Sequence, residues 1–300
     1  MSDHKKTVVI SGAAGFIGSH LVRALVRQGY TLLVLTNRRE IQCSNGNVIP
    51  CNFSENRDEA ERLFQKYSPQ GVIHLATCFA PTHTAEQIPE MISSNITFGV
   101  RLLDSAVKAE IPWFLNIGTF WQHFNGAEYD PVNFYAATKQ AFESIAAFYS
   151  KTSAIRFVTL CLNDTYGSND TRKKIFPLWK HLSEHPEESL AMSPGEQLLD
   201  ILHVDDVVSG IFHLMQMLES HSPEIADSDR FYLTSGDLLS LRQAADLFAE
   251  IAGKPLNIRW GERPYRNREV MHPQCSGKPL PGWQSKISLS EGIRKYLYEE

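Results

Sequence analysis

The chain has 300 residues, of which 43% are apolar, and its 29 basic and 34 acidic residues give a net charge of −5. Because charges of both signs are mixed along the chain, no basic run indicates binding to nucleic acid or to an anionic membrane, and we expect a small soluble ligand. The chain shows no signal-peptide core and no apolar stretch approaching about 18 residues. Its five cysteines contain no CxxC pair. These features predict a cytoplasmic protein with reduced thiols.

Strand and helix patterns alternate through residues 1–165. A β-rich run at 7–10 is followed by a glycine turn and by apolar residues at helical spacing over 19–28. Further strands are predicted at 31–35, 47–51, 71–76, 113–117 and 155–162, and further helices at 57–67, 95–109 and 135–150. This alternation is typical of an α/β fold, a Rossmann-type doubly wound parallel sheet with helices on both faces.

The pattern of the second half is less regular. The predicted elements are loops around one helix at 166–200, a helix at 204–218, a strand at 230–234, helices at 239–252 and 289–298, and a surface segment rich in Pro and Gly at 264–282. We therefore predict a Rossmann domain over 1–165, to which the segment 203–235 returns. The residues 166–300 mainly form a smaller C-terminal α/β lobe.

Three glycines, Gly12, Gly15 and Gly18, form a turn between the first predicted strand and its helix. Such a turn lets the backbone approach a pyrophosphate and directs a helix N-terminus at it, so Phe16 and Ile17 are also expected beside a dinucleotide. The alternative is that the glycines serve only close packing.

The end of the second predicted strand bears on the choice of cofactor. A carboxylate at this position binds the adenosine ribose and repels a 2′-phosphate, whereas arginines bind that phosphate. The chain has Asn37, Arg38 and Arg39 here, with no acid before Glu40. The sequence therefore favours NADPH over NADH. The alternative is a pair of solvated arginines beside an NAD site.

Tyr135 and Lys139 lie four residues apart on a predicted helix and so share one face. A nearby ammonium favours the phenolate form, which would lower the pKa of the tyrosine and let it exchange a proton near neutral pH. Proton exchange of this kind accompanies the reduction of a carbonyl or the oxidation of an alcohol. The alternative is a structural Tyr and Lys.

The GxxGxxG turn and the YxxxK pair make the chain resemble the extended short-chain dehydrogenase/reductases of the NAD-dependent epimerase/dehydratase family. The resemblance implies that Thr119 binds the reacting oxygen, that Tyr135 donates the proton and that Lys139 also binds the nicotinamide ribose. It further implies cofactor contacts at Asn52, Phe53, Leu75, Ala76, Thr77 and Asn95. In this family an asparagine at the position of Asn95 braces the active site, although a simple helix N-cap is an equal alternative.

Phe120 and Trp121 follow Thr119 directly. In the related 4,6-dehydratases an Asp-Glu pair at these positions eliminates water. The two rings here carry no ionisable group, which argues against elimination by that route. They would either wall off a sugar ring or pack beneath the loop. His123 and Glu128 on the same loop are further candidates for a general acid.

Other residues resemble substrate-binding segments of the family. The proposed substrate contacts are Phe120, Trp121, Asn163, Asp164, Thr165, Lys174, Arg263 and Arg266, with the cations placed to bind a diphosphate. His203 and Asp206 are expected to hold the junction of the lobes. His181 and His185 lie one helical turn apart, but the sequence shows no third ligand, so we expect no metal site.

The segment 164–167, the Phe-Trp pair and the C-terminal segments make the chain resemble the CDP-abequose and CDP-paratose synthases. These enzymes reduce the C4 ketone of a CDP-linked deoxysugar, used in O-antigen-type lipopolysaccharide. The resemblance implies an NADP-binding first domain, a nucleotide-sugar-binding second lobe and a homodimer through the helices near Asn95 and Tyr135. The alternatives are a nucleotide-sugar epimerase with tightly bound NAD and a non-catalytic protein that senses NADP.

Overall fold

The structure is a computed structural model that describes residues 6–36, 46–53 and 57–299. The described strands are β1 Thr7–Ser11, β2 Thr31–Leu35, β3 Val48–Cys51, β4 Gly71–His74, β5 Trp113–Thr119, β6 Arg156–Leu162, β7 Asp164–Tyr166, β8 Leu190–Met192, β9 Leu198–Leu199, β10 Ile201–His203, β11 Arg230–Tyr232, β12 Leu239–Ser240, β13 Ile258–Trp260 and β14 Lys278–Pro279. The described α-helices are α1 Phe16–Arg27, α2 Arg57–Tyr67, α3 Ile88–Ile92, α4 Phe98–Lys108, α5 Phe134–Thr152, α6 Ile175–Glu184, α7 Val204–Glu219, α8 Leu241–Ala252 and α9 Leu289–Tyr298.

Eight of the described strands form one sheet in the order β14-β11-β6-β5-β4-β1-β2-β3. Every neighbouring pair in this sheet is parallel. The order reverses beside β1, as in doubly wound sheets, whose ligands bind outside the carboxyl ends of the strands at such a point. The predicted Rossmann-type α/β fold is confirmed.

The sheet is buried on both faces by helices. Along β1, Val8 and Ile10 belong to the core that contains side chains of α1 and α7. The intervening Val9 belongs to the opposite core, with side chains of α2, α4 and α5. Because successive side chains of a strand point to opposite faces, the continuous apolar run of β1 supplies both cores. None of the described helices has the length and apolar character needed to cross a membrane.

The helix predicted to begin at residue 95 begins earlier. A 3₁₀ turn at Ala85–Gln87 leads into α3, a π-helical turn at Ser93–Thr97 joins α3 to α4, and Pro89 occupies the first turn of α3. The polar run Ser93-Ser94-Asn95 interrupts the apolar periodicity, which is why the pattern places the helix start there. Asn95 therefore lies inside a helical segment, and its interpretation as an N-cap is wrong.

A third core lies outside the sheet and contains several aromatic residues. Tyr166 and Phe176 stack with 4.2 Å between their ring centroids, and Trp179, Phe248 and Tyr296 pack around them. Three two-stranded ladders flank this core: β7 with β10, β8 with β13 and β9 with β12. The ladders contain only two or three residues per strand, too few for a recognisable sequence pattern. Between these segments the chain returns to the main sheet through α7, which packs on α1, and β11.

Asp206 joins the start of α7 to the segment before α9. Its buried carboxylate accepts the backbone N–H of Lys286 at 3.1 Å and that of Ile287 at 2.9 Å. His203 caps α7 by accepting the N–H of Asp205 at 3.3 Å. These contacts agree with the expected structural role of His203 and Asp206.

Replacing Asp206 with Ala would leave two backbone N–H groups without their charged acceptor. We expect Asp206→Ala to lower the free energy of unfolding by about 3 kcal/mol. Urea denaturation measures the change. The matched control is Asp205→Ala, which removes the neighbouring carboxylate that is half exposed and is expected to cost less than about 1 kcal/mol. Equal losses in the two variants would contradict the assigned role of Asp206.

Candidate active site

The glycine turn lies against the end of β4. Gly12 has a φ of +74°, and a Cβ there would lie 2.6 Å from the backbone nitrogen of Ala76. A Cβ on Gly18 would overlap the carbonyl oxygen of Gly12. Helix α1 starts at Phe16 without a side-chain cap, so its first N–H groups remain available to an anion. The turn thus fits the pyrophosphate of a dinucleotide cofactor at Gly15, Phe16, Ile17 and Gly18.

Other predicted cofactor residues have different surroundings. The side chain of Phe53 is fully buried against Phe98, so only its backbone could meet a cofactor. Asn52 is half-buried at the end of β3. Leu75, Ala76 and Thr77 continue the chain from the carboxyl end of β4, and the N–H of Ala76 donates to the Ser11 hydroxyl at 3.3 Å. The remaining three, Asn37, Arg38 and Arg39, lie outside the described residues.

Asn95 braces the loop after β4 against α5. Its side-chain oxygen accepts from the Cys78 N–H at 2.6 Å and from the Thr77 hydroxyl at 3.1 Å. Its amide donates to the Cys78 carbonyl and to the Thr138 hydroxyl, each at 2.9 Å. Because Thr138 lies between Tyr135 and Lys139 on α5, Asn95 ties the predicted cofactor loop to the helix that carries both residues.

Thr119 is the last residue of β5, where the carboxyl end of the strand meets the N-terminal part of α5. Its hydroxyl oxygen accepts the Trp121 N–H at 3.3 Å, and its backbone N–H donates to the side-chain oxygen of Gln122 at 3.0 Å. With its acceptor role satisfied by the backbone, the hydroxyl can donate its proton to a substrate oxygen.

Burial acts on Tyr135 and Lys139 in opposite directions. It raises the pKa of Tyr135 to about 12, against the weaker effect of a hydrogen bond with Thr77. It lowers the pKa of Lys139 to about 8, because the ammonium loses its hydration. The prediction that the pKa of Tyr135 is lowered is therefore wrong for this structure, because desolvation raises that pKa and the hydrogen bond with Thr77 lowers it by less. Tyr135 is protonated at neutral pH and can act as an acid.

A cleft of about 590 Å³ contains nearly all the predicted substrate residues. Its lining includes Phe120, Trp121, Asp164, Thr165, Lys174, Arg263 and Arg266. Asn163 does not line this cleft. Its amide donates instead to Asp200 at 2.8 Å and to the Leu233 carbonyl at 3.4 Å, beneath the cleft wall.

Phe79 is a cleft residue that the sequence analysis does not identify. Its ring meets Tyr135 edge to face, with 5.0 Å between centroids, and lies 5.7 Å from the ring of Trp121. The ammonium of Lys174 lies 4.9 Å above Phe79 and pairs with Asp164 at 3.0 Å. Phe79 stands in an irregular loop without a motif, and the available signal is its position just beyond a strand that ends at the ligand-binding edge.

The structure shows the surroundings of His123, a candidate general acid, and of His181 and His185, which lie one helical turn apart. His123 is buried, and its ring nitrogens face the Ala127 carbonyl and Arg230, each at 3.0 Å, which leaves neither nitrogen for a substrate. His181 and His185 are largely exposed and face Glu188 at 3.0 Å and Glu187 at 3.4 Å. These two carboxylates come from the turn after α6, and the arrangement is that of surface ion pairs.

Residues 8–226 match the sequence model of a protein family, the NAD dependent epimerase/dehydratase family. The chain belongs to this family. The resemblance expected from the glycine turn and the YxxxK pair is confirmed, and membership supports a nicotinamide cofactor.

Curated members of the family align over nearly the full chain. CDP-abequose synthase of Salmonella typhimurium is 27% identical, with 98% of each chain covered. CDP-abequose synthase of Yersinia pseudotuberculosis is 28% identical, covering 95% of this chain and 97% of the relative. Among solved structures, UDP-glucuronic acid 4-epimerase from Bacillus cereus, in complex with UDP-glucuronic acid and NAD, superposes with a TM-score of 0.83 at 19% identity over 98% of both chains. This similarity shows a common fold.

The bracing by Asn95 can be tested through stability. We expect Asn95→Ala to lower the free energy of unfolding by about 2 to 3 kcal/mol, because this buried side chain makes four hydrogen bonds that the variant loses. Urea denaturation measures the loss. Asn257→Ala is the control, since this exposed side chain makes one hydrogen bond, to the Glu188 carbonyl, and should cost less than about 1 kcal/mol. A loss at Asn95 no larger than the control's would refute the bracing role.

Proposed function

We propose that this chain is a cytoplasmic, NADPH-dependent reductase of the C4 ketone of a nucleotide-activated 4-keto-deoxysugar, with CDP-linked substrates favoured. Its product would serve O-antigen-type lipopolysaccharide synthesis. The observation that carries the proposal is the placement of Tyr135 one helical turn before the buried Lys139 on α5, with its ring against Phe79 of the cleft. The two CDP-abequose synthases that align over nearly the full chain support the choice of substrate class.

The chain's own residues would perform the proton transfer. When bound, the nicotinamide cofactor supplies a hydride to the ketone carbon. Tyr135 gives its hydroxyl proton to the ketone oxygen, and Thr119 holds that oxygen with a hydrogen bond. The resulting phenolate is stabilised by the ammonium of Lys139 until Tyr135 regains a proton from solvent. The carbon gains a hydride and the oxygen gains a proton, so the product is an alcohol.

The cleft walls are suited to a deoxygenated sugar joined to a diphosphate. The apolar rings of Phe79 and Trp121 meet beside Tyr135 and would pack on sugar carbons that lack hydroxyl groups. Arg263 and Arg266 line the same cleft and are the proposed ligands of the diphosphate, together with Lys174. Arg38 and Arg39 lie outside the described residues. Their positive charge in the sequence supports NADPH, whose 2′-phosphate it would attract.

The residues after Thr119 argue against water elimination, because neither ring carries an ionisable group. An epimerase retains tightly bound NAD, whereas Arg38 and Arg39 in the sequence favour a cofactor with a 2′-phosphate. A non-catalytic sensor of NADP would not need Thr119, Tyr135 and Lys139 together.

The decisive experiment measures cofactor oxidation with a panel of CDP-, dTDP-, UDP- and GDP-linked 4-keto sugars. We expect turnover with NADPH above NADH and fastest with a CDP-linked sugar. Tyr135→Phe should reduce kcat by about a hundredfold or more while NADPH binding is retained, because only the proton donor is removed. Tyr129→Phe, which alters an exposed tyrosine, is the matched control and should keep the wild-type rate. Purified protein with stoichiometric NAD and no net oxidation of NADPH would instead indicate an epimerase.

We further propose a homodimer through α5 and the helical segment that packs on it. Ile145 and Phe148 lie three residues apart on one face of α5 and are 38% and 62% exposed. Ile92, at the end of α3, is 41% exposed. An apolar helix face of this kind is expected to be covered by a second copy of the chain.

The dimer is tested by introducing a charge on this face. Phe148→Glu should give a monomer in size-exclusion chromatography with light scattering, because a buried, unpaired carboxylate is costly. Leu238→Glu changes a comparably exposed leucine in a loop and should leave the mass unchanged. If the wild-type chain is already a monomer, or Phe148→Glu remains a dimer, this interface is wrong.

A further inference from the structure

A polar network beneath the active site joins β5 to α5. Gln122 is 1% exposed, and its side-chain oxygen accepts the backbone N–H of Thr119 at 3.0 Å. Its amide donates to Glu143 and to Gln140, each at 2.9 Å. One side chain therefore connects the strand end that carries the proposed oxygen ligand to the helix that carries Tyr135 and Lys139.

Glu143 is the charged centre of this network. It follows Lys139 by one helical turn, so the two side chains share a face of α5. One carboxylate oxygen accepts from Gln122, and the other forms an ion pair with Arg230 of β11. The same guanidinium donates to His123 at 3.0 Å. Both oxygens of this nearly buried carboxylate are thus held in fixed directions.

The backbone leaves space for the network at one position. A Cβ on Gly118 would lie 3.1 Å from the Gln122 side-chain oxygen and 3.3 Å from a Glu143 oxygen. Both distances are tighter than ordinary contacts, so the network lies directly over the residue that precedes Thr119. The strand end and the carboxylate are packed against each other with little freedom to shift.

The titratable groups that face Lys139 differ in charge. Tyr135 on the same helix is neutral at pH 7, since burial raises its pKa, and Cys161 on β6 is neutral because a hydrogen bond with Cys275 and burial raise its pKa. His74 on β4 is neutral too, because burial lowers its pKa to about 3. Glu143 is the negative group that acts on Lys139 from the described residues, and it opposes the effect of burial on the lysine.

We propose that Glu143 is a positioning residue of the active site, which holds the Thr119 strand end against α5 through Gln122 and places a negative charge one helical turn from Lys139. The kinetic consequence rests on the proposed function. The effect of Glu143 on the ionisation of Lys139 does not rest on the proposed function, because it can be measured without cofactor or substrate.

The charge effect is tested by NMR titration of the full chain labelled with ¹³C at the lysine Cε, with the Lys139 signal assigned by its absence in Lys139→Arg. We expect Glu143→Gln, which keeps the shape of the side chain, to lower the titration midpoint of Lys139 by about one pH unit. Glu143→Asp should retain part of the wild-type midpoint. Glu250→Gln, an exposed glutamate of α8, is the control and should leave it unchanged.

The unpaired Arg230 in Glu143→Gln could impair folding, so the double variant Glu143→Gln, Arg230→Gln is measured as well. It removes both charges of the pair, so its midpoint should lie below that of Arg230→Gln alone, which keeps the Glu143 charge. A wild-type midpoint in folded Glu143→Gln, or equal midpoints in the double variant and Arg230→Gln, would overturn the charge assignment.

The positioning effect is tested separately with Gln122→Met, which breaks the link but keeps the Glu143 charge. We expect the Lys139 midpoint to stay near the wild-type value while kcat falls by about tenfold or more, with little change in KM for NADPH. An unchanged kcat would refute positioning through Gln122. If the wild-type enzyme reduces no nucleotide sugar, the proposed function fails, and the NMR result still decides the role of the Glu143 charge.

Discussion

The burial of a lysine ammonium at the carboxyl edge of the sheet is the constraint on which the site depends. Lys139 is 3% exposed, and removing such a charge from water costs several kcal/mol unless other groups compensate. With its pKa lowered to about 8, the ammonium is charged at neutral pH by a small margin. The surrounding elements maintain that margin, because His74 stays neutral and Glu143 supplies the opposing charge.

The same desolvation gives Tyr135 its chemical direction. A phenol and an ammonium that share one dry environment both shift toward their neutral forms, so the tyrosine keeps its proton more firmly and the lysine less firmly. In the proposed ketone reduction, Tyr135 transfers that proton to the substrate oxygen and becomes a phenolate. The cost of burying the Lys139 ammonium is then offset, because negative charge develops on the same helix face.

Local sequence rules predicted the parts of the molecule that depend on near neighbours. The alternation of elements, the glycine turn and the one-turn spacing of Tyr135 and Lys139 all follow from short-range periodicity and geometry. Predictions failed where burial or distant partners decide, as for Asn163, which bonds Asp200 beneath the cleft wall instead of lining the cleft. The polar run at Asn95 resembles a helix start, yet the residue lies inside a π-helical turn and binds the loop after β4. The prediction of a lowered pKa for Tyr135 took the nearby cation into account but not the desolvation of the phenol, which raises that pKa.

The roles that sequence reasoning missed share a physical origin. Phe79 reaches Tyr135 from the loop after β4, and Glu143 meets Arg230 across 87 residues of sequence. Neither contact has a fixed spacing, so no motif can reveal it. Phe79 follows β4 at the carboxyl edge of the parallel sheet, where strand order reverses and loops from separate strands converge, and Glu143 follows Lys139 by one turn of α5. Once that edge is known, an aromatic residue just beyond a strand and an acid one turn after the lysine become natural candidates. In this chain the rings of Phe79 and Trp121 border Tyr135, and the ammonium of Lys174 lies over both rings. The cleft therefore offers apolar surface and positive charge side by side, which is the combination that a sugar joined to a diphosphate requires.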